Sequence, residues 1–200
     1  MPKQKLKFND AAPDAELTAA DGTRVKLSSL WQNKVLILAF TRHFGCPQCK
    51  EMLDELVTGY PELADAGLSL AVVTQGTLDQ TKEFCAERAP GILCLSDPER
   101  KVYAAFGLER GSLRQTFLSA QVWKSNRRLK KTRGWNTELP PPGQDSMLMS
   151  GTFVIGPDGL VRLPYYYENI ADHPPLDLLV KGIMGTDWKK PLGSPITPEA

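Results

Sequence analysis

The chain has 200 residues, 24 Lys and Arg against 23 Asp and Glu, a formal net charge of +1 and 42% hydrophobic residues. That length fits one decorated domain with its own core, and the balanced charge gives no global pull towards nucleic acid, so none is expected as a partner. Four cysteines, at 46, 49, 85 and 94, are too few and too unevenly spaced for a secreted disulfide scaffold.

Residues 1–14 read as a polar arm, beginning Met1-Pro2-Lys3 with no apolar signal region behind it. No apolar run approaches bilayer length, so a reducing, cytoplasmic setting is expected. Asp21-Gly22 is a turn between Glu16-Leu17-Thr18 and Thr23-Arg24-Val25, predicting a small hairpin. Ser28–Trp31 is a short turn or helix, and residues 34–40 are a strand, apolar throughout Val35–Phe40. Helical spacing runs from Cys46 to Ala66, with Pro61 dividing it and Gly67 ending it. A buried strand over Leu68–Val73, a helix over Thr77–Arg88 and a short strand over Ile92–Leu95 follow. Ser96-Asp97-Pro98-Glu99 opens a helix through Phe106. An insert of about 111–148 then precedes a hairpin of Thr152–Ile155 and Leu160–Leu163 around a Gly-Pro-Asp-Gly turn. An amphipathic helix spans Pro175–Met184, and residues 185–200 form a tail, Pro-rich and extended or disordered from Lys190. The order predicts an α/β domain over 15–184: a central mixed sheet flanked by helices, parallel in its middle and closed by antiparallel strands.

The chemistry sits in Arg42-His43-Phe44-Gly45-Cys46-Pro47-Gln48-Cys49-Lys50, where a strand meets a helix. A helix N-terminus carries unpaired N–H groups and partial positive charge, which favour a thiolate. Cys46 falls at the N-cap or first turn as nucleophile. Cys49, a turn deeper and less exposed, is placed to resolve what Cys46 forms. Pro47 suits the first helical turn, where its missing N–H costs nothing. Arg42, Lys50 and a protonated His43 are the charges that would lower the thiolate pKa, or else a solvated surface. Half of a zinc site is the competing reading, with only His43, Cys85, Cys94 and His173 available as further ligands and none suitably spaced. Cys85 and Cys94 read as small buried hydrophobes, with a resolving role as the lesser alternative.

Three further stretches carry a resemblance. They are Leu17…Asp21-Gly22-Thr23…Leu27–Trp31, the Ser96-Asp97-Pro98 helix, and Gly151-Thr152-Phe153-Val154-Ile155-Gly156-Pro157-Asp158-Gly159. With the Cys-x-x-Cys pair and Ala171-Asp172-His173-Pro174, they resemble the peroxiredoxin-like 2 (AhpC/TSA-like) family of the thioredoxin superfamily over roughly residues 15–184. The resemblance implies a thioredoxin-like fold and a thiol–disulfide oxidoreductase or peroxide reductase that needs no bound cofactor or metal. It also implies a peroxide or disulfide substrate, an external dithiol donor such as a thioredoxin, and an apolar peroxide as one substrate type. It implies nothing about oligomeric state. Peroxiredoxins carry Pro-x-x-x-Thr-x-x-Cys and an arginine before the hairpin glycine; here Ala39, His43 and Ser150 stand at those places. Arg42 or His43 is then the candidate substitute for the missing peroxide-binding groups. Gly151 replaces the cis-proline of thioredoxins, and Thr152 starts a strand whose backbone would dock a substrate chain. A conventional thiol peroxidase and a non-enzymatic interaction module are the other readings.

The insert is basic: Arg114, Lys124, Arg127, Arg128, Lys130, Lys131 and Arg133, with no acidic residue among them and Phe117, Leu118, Val122 and Trp123 interleaved. That pattern fits a membrane surface, another anionic partner or nucleic acid, or a solvated helix face beside a packed one.

Overall fold

Alternation along one strand organises the molecule. Every residue of the central strand Val35–Phe40 is buried. Val35, Ile37 and Ala39 enter one hydrophobic cluster, and Leu36, Leu38 and Phe40 enter another on the opposite face. A strand covered on both sides reads as a continuous apolar run, as the sequence predicts. The computed structural model describes residues 4–191.

Seven strands form one sheet: β1 (Glu16–Ala19), β2 (Arg24–Lys26), β3 (Val35–Phe40), β4 (Leu68–Thr74), β5 (Leu93–Ser96), β6 (Gly151–Ile155) and β7 (Val161–Tyr166), in the order β2-β1-β5-β4-β3-β6-β7. β3, β4 and β5 are parallel neighbours; the β1/β2 hairpin and the β6/β7 hairpin add antiparallel edges. α1 (Ser28–Trp31) and α5 (Lys101–Ala105) cover one face through Trp31, Val102 and Tyr103. The other face is covered by α2 (Pro47–Thr58), α3 (Tyr60–Asp65), α4 (Leu78–Arg88) and α7 (Leu176–Lys181), through Leu53, Leu63, Phe84 and Leu179. Each fully buried side chain of this kind contributes roughly 1.5–3 kcal/mol.

Boundaries move where backbone geometry overrides periodicity. The long helix breaks at Gly59, and Pro61 falls in the first turn of α3, where its missing N–H is harmless. α5 starts late because Arg100 has φ 57°; Asp97 instead accepts from the N–H groups of Lys101, Val102 and Tyr103. Thr77 and Gln80 form a capping box at α4. The last helix stops at Lys181, not Met184, since Gly182 turns with φ 73°.

The arm is docked. Asn9 and Ala12 donate backbone hydrogen bonds to Val161 and Gly159, and Val161 donates to Asp10, so the arm shields the start of the edge strand β7. Beyond α7, Trp188 is buried and donates from Nε1 to the Leu179 carbonyl at 2.8 Å. Residues 192–200, most of the expected Pro-rich tail, lie outside the described residues.

The insert holds a π-helix (Arg114–Leu118), α6 (Ala120–Arg133) and a loop through the triproline segment. Val122, Ser125 and Leu129 of α6 face inwards. Cys85 on α4 and Cys94 on β5 are joined by a disulfide, with Cα atoms 6.6 Å apart. The sequence reads these two as separate buried thiols; pairing of α4 against β5 brings them together.

Candidate active site under a lid

β3 ends at Phe40, and Tyr103 Oη fixes the next turn by donating to Thr41 O at 2.7 Å. The chain then enters α2 with Cys46 at the N-cap in extended geometry and Pro47 in the first turn. Both sulfurs of the pair are free thiols. Cys46 is 1% exposed and Cys49 4%. Exposure does not separate them as expected, since both are buried, but Cys46 rather than Cys49 lines the cavity beneath the insert.

The closure has several latches. Glu138 N–H donates to Gly45 O at 3.0 Å, and Lys50 Nζ lies 3.2 Å from Glu138 Oε2. A Cβ on Gly45 would stand 2.6 Å from Glu138 O, so only glycine admits the lid this closely. Phe44 N–H donates to Gln144 Oε1 at 2.9 Å, and Gln48 Nε2 to Asn126 Oδ1 at 2.5 Å. Arg128 grips Glu51 with both terminal nitrogens, Nη2–Oε2 being 2.7 Å. Arg42 reaches up with Nε to Leu148 O at 3.0 Å and with Nη2 to Ser146 O.

The same Arg42 points its remaining nitrogen at the reactive sulfur: Nη1 donates to Cys46 Sγ at 3.3 Å, while its backbone N–H donates to Cys49 Sγ at 3.3 Å. Burial pushes the Cys46 thiol up, but hydrogen bonds from the Cys49 thiol and backbone N–H and the Arg42 charge outweigh it and bring the pKa down to about 6. Burial and the neighbouring Cys46 push Cys49 well above its ordinary value. The pair is thus split into a thiolate and a thiol.

The other expected supports differ in what they contribute. His43 is buried beside Arg42 and Lys50; burial first and these charges second lower its pKa to about 4, so it is neutral at pH 7 and adds no charge to Cys46. Its Nδ1 is buried with no hydrogen-bond partner among the described residues. Lys50 is committed to Glu138 on the lid. Thr152 pairs through its backbone with Ala39 on one side and Tyr165 on the other, leaving no edge to dock a chain. Its hydroxyl bonds Tyr167 Oη at 2.8 Å, and Thr152 lines a crevice with Met52 and His173, apart from the cavity at Cys46. Asp172 shapes its loop by accepting from Tyr165 Oη and from the Glu168 N–H, while His173 Nε2 meets Glu55 at 2.8 Å. Gln48, Asn126, Glu138, Gln144, Ser146 and Leu148 carry no signal in the sequence, because their roles arise from contacts across about a hundred positions.

Beneath the lid a cavity of about 280 Å³ touches Arg42, His43, Cys46 and Gln48. Thr116, Phe117, Leu139, Pro140 and Ile170 give it a largely apolar wall. Among the described residues no three of His, Cys, Asp or Glu gather as a metal site, and no helix is long and apolar enough to cross a membrane.

The model of the AhpC/TSA family matches residues 8–163. The chain belongs to the AhpC/TSA family. Peroxiredoxin-like 2C of Mus musculus is 27% identical over 179 residues, covering 86% of this chain and 79% of its own. Prostamide/prostaglandin F synthase of Salmo salar is 25% identical over 170 residues, covering 84% and 83%. Among solved structures, peroxidoxin BcpB of Mycobacterium tuberculosis superposes with a TM-score of 0.57 at 24% identity, covering 78% of this chain and 82% of that one. Peroxiredoxin Q of Xanthomonas campestris gives 0.60 at 19%, covering 88% and 92%. The peroxiredoxin-like, thioredoxin-superfamily fold expected from the sequence is the fold found. The family supports thiol oxidoreductase or peroxidase chemistry in general. Within it, the Arg42 guanidinium stands at the thiolate of a chain that has Ser150 where peroxiredoxins carry their arginine.

Proposed function

We propose that this protein is a dithiol peroxide reductase in which Cys46 is the nucleophile and Cys49 the resolving thiol. The observation that carries it is the Arg42 Nη1 to Cys46 Sγ contact of 3.3 Å at the floor of a covered, small-molecule-sized cavity. A folded protein disulfide cannot reach a sulfur 1% exposed without displacing the lid, whereas a hydroperoxide fits the cavity.

The Cys46 thiolate attacks the terminal oxygen of R–O–O–H. The O–O bond breaks, Cys46 becomes a sulfenic acid, and the departing alkoxide takes a proton from solvent to leave as R–OH. Arg42 holds the thiolate and stands beside the oxygen as charge moves onto it. With the Cys46 charge gone, Cys49 gives up its proton and attacks the Cys46 sulfur as a thiolate. Its proton leaves with the hydroxyl as water, and a Cys46–Cys49 disulfide remains. An external dithiol of the thioredoxin type returns two electrons, becoming a disulfide itself and restoring both thiols. No bound cofactor takes part.

Stopped-flow oxidation of reduced protein by a hydroperoxide panel and a protein-disulfide panel tests this. Hydroperoxides are expected to oxidise wild type at least ten times faster than protein disulfides, with Cys46→Ser inert. Faster reaction with protein disulfides would favour thiol–disulfide exchange with an open lid. Thiol-independent binding through the insert alone, with no oxidation of Cys46, would favour an interaction module.

A further inference from the structure

The outer surface of the lid is unlike the rest of the molecule. Between Arg110 and Glu138 the sequence contains no acidic residue. Arg128 and Arg133 are tied to Glu51 and Asp54 on α2, but Arg114, Lys124, Arg127, Lys130 and Lys131 make no ion pair among the described residues. With 3.6 residues per turn, Lys124, Arg127, Lys130 and Lys131 share the face of α6 opposite buried Val122, Ser125 and Leu129.

Large apolar side chains stand beside these cations in solvent. Trp123 is 70% exposed, Leu118 69% and Leu139 91%. They belong together: Trp123 Nε1 donates to Phe117 O at 2.9 Å, and Phe117 and Leu139 both line the mouth of the cavity that ends at Cys46. Satisfying the indole N–H through the π-helix leaves the ring's apolar body facing outwards. Surfaces that combine unpaired Lys and Arg with protruding Trp, Phe and Leu match the headgroup zone of a bilayer, where cations meet anionic lipid and rings enter the acyl boundary. The charge sign chooses an anionic surface. The aliphatic Leu118 and Leu139, which offer nothing to stack on a base, choose lipid over nucleic acid.

We infer that the lid docks on anionic membrane surfaces, with Lys124, Arg127, Lys130 and Lys131 holding the headgroups and Phe117, Leu118, Trp123 and Leu139 dipping below them. The cavity mouth then opens at the bilayer surface, so an acyl hydroperoxide reaches Cys46 without crossing water. That last step rests on the proposed reductase activity; the docking does not.

Sedimentation with phosphatidylcholine vesicles, with and without phosphatidylglycerol, tests the docking on the full chain and on Cys46→Ser. Both are expected to bind only the anionic vesicles, with a blue-shifted Trp123 emission that a Trp123→Phe variant loses. Each basic residue near an anionic surface strengthens binding about five-fold, so K124Q/R127Q/K131Q is expected to bind roughly a hundred-fold more weakly with unchanged thermal melting. W123E, which changes no cation, is expected to bind weakly as well. Equal binding to neutral vesicles, undiminished binding by the triple variant, or binding to duplex oligonucleotide but not to vesicles would each overturn the inference. Vesicle binding by a Cys46→Ser protein alongside a wild type that reduces no peroxide would keep the docking and sink the reductase activity.

Discussion

Replacing Arg42 by Met keeps an unbranched, flexible stem and removes its charge and its fork. The Nη1–Sγ bond of 3.3 Å to Cys46 is lost, as are the bonds to Leu148 O and Ser146 O. A cation at this range lowers a thiol pKa by roughly 1–3 units, so the variant moves Cys46 from about 6 to roughly 8. At pH 7 the thiolate fraction then falls from about nine-tenths to about one-tenth, and the rate of oxidation by a small hydroperoxide falls about ten-fold. At pH 9 most of the difference disappears. Arg42→Lys, which retains charge without the fork, is expected to fall between the two. The buried Leu148 carbonyl also loses its donor, at about 1–3 kcal/mol, and the part-buried Ser146 carbonyl loses one too, so thermal melting of the Met variant drops. Thiolate ultraviolet absorbance and stopped-flow rates, each followed across pH, separate the electrostatic effect from the structural one. A Met variant whose rate profile keeps its midpoint near pH 6 would refute the role given to Arg42.

Three other outcomes follow from the same geometry. His43 is held neutral in the fold with a pKa of about 4 against about 6.5 unfolded. The unfolded chain therefore binds more protons between those values, and about 3 kcal/mol of stability is lost as pH falls from 6.5 to 4; His43→Gln should flatten that slope in urea melts. Gly45→Ala, whose Cβ would collide with Glu138 O, is expected to push the lid outwards and to speed alkylation of Cys46 by bulky maleimides more than by iodoacetamide. Denatured, non-reduced protein should titrate two thiols rather than four, and Cys85→Ala with Cys94→Ala should cost about 2–3 kcal/mol for a loop this short; four free thiols would remove that disulfide from the account.

Local chemistry made most of the frame legible. The apolar run of β3, the Asp21-Gly22 turn, the capping residues of α4 and the Gly-Pro-Asp-Gly hairpin each act over a few positions, so residue type alone predicts them. The Cys46-Pro47 junction likewise falls at a helix start because Pro47 tolerates only that place. What stayed hidden depends on pairs distant in sequence. Residues 42–51 meet 125–148 across the lid, and no periodicity encodes which polar group of the insert faces which group of the motif. Burial of Cys46, neutrality of His43 and the direction of the Arg42 side chain all follow from that one closure. Cys85 and Cys94 look like core residues because they are buried; their pairing follows from how α4 crosses β5.

The most direct test treats reduced protein with one equivalent of hydroperoxide under non-reducing conditions and maps its cysteines by mass spectrometry. A Cys46–Cys49 disulfide is the predicted product, with Cys49→Ser stopping at a Cys46 sulfenic acid trapped by dimedone. Full peroxide consumption by Cys46→Ser, or oxidation that leaves Cys49 untouched in the wild type, would contradict the account.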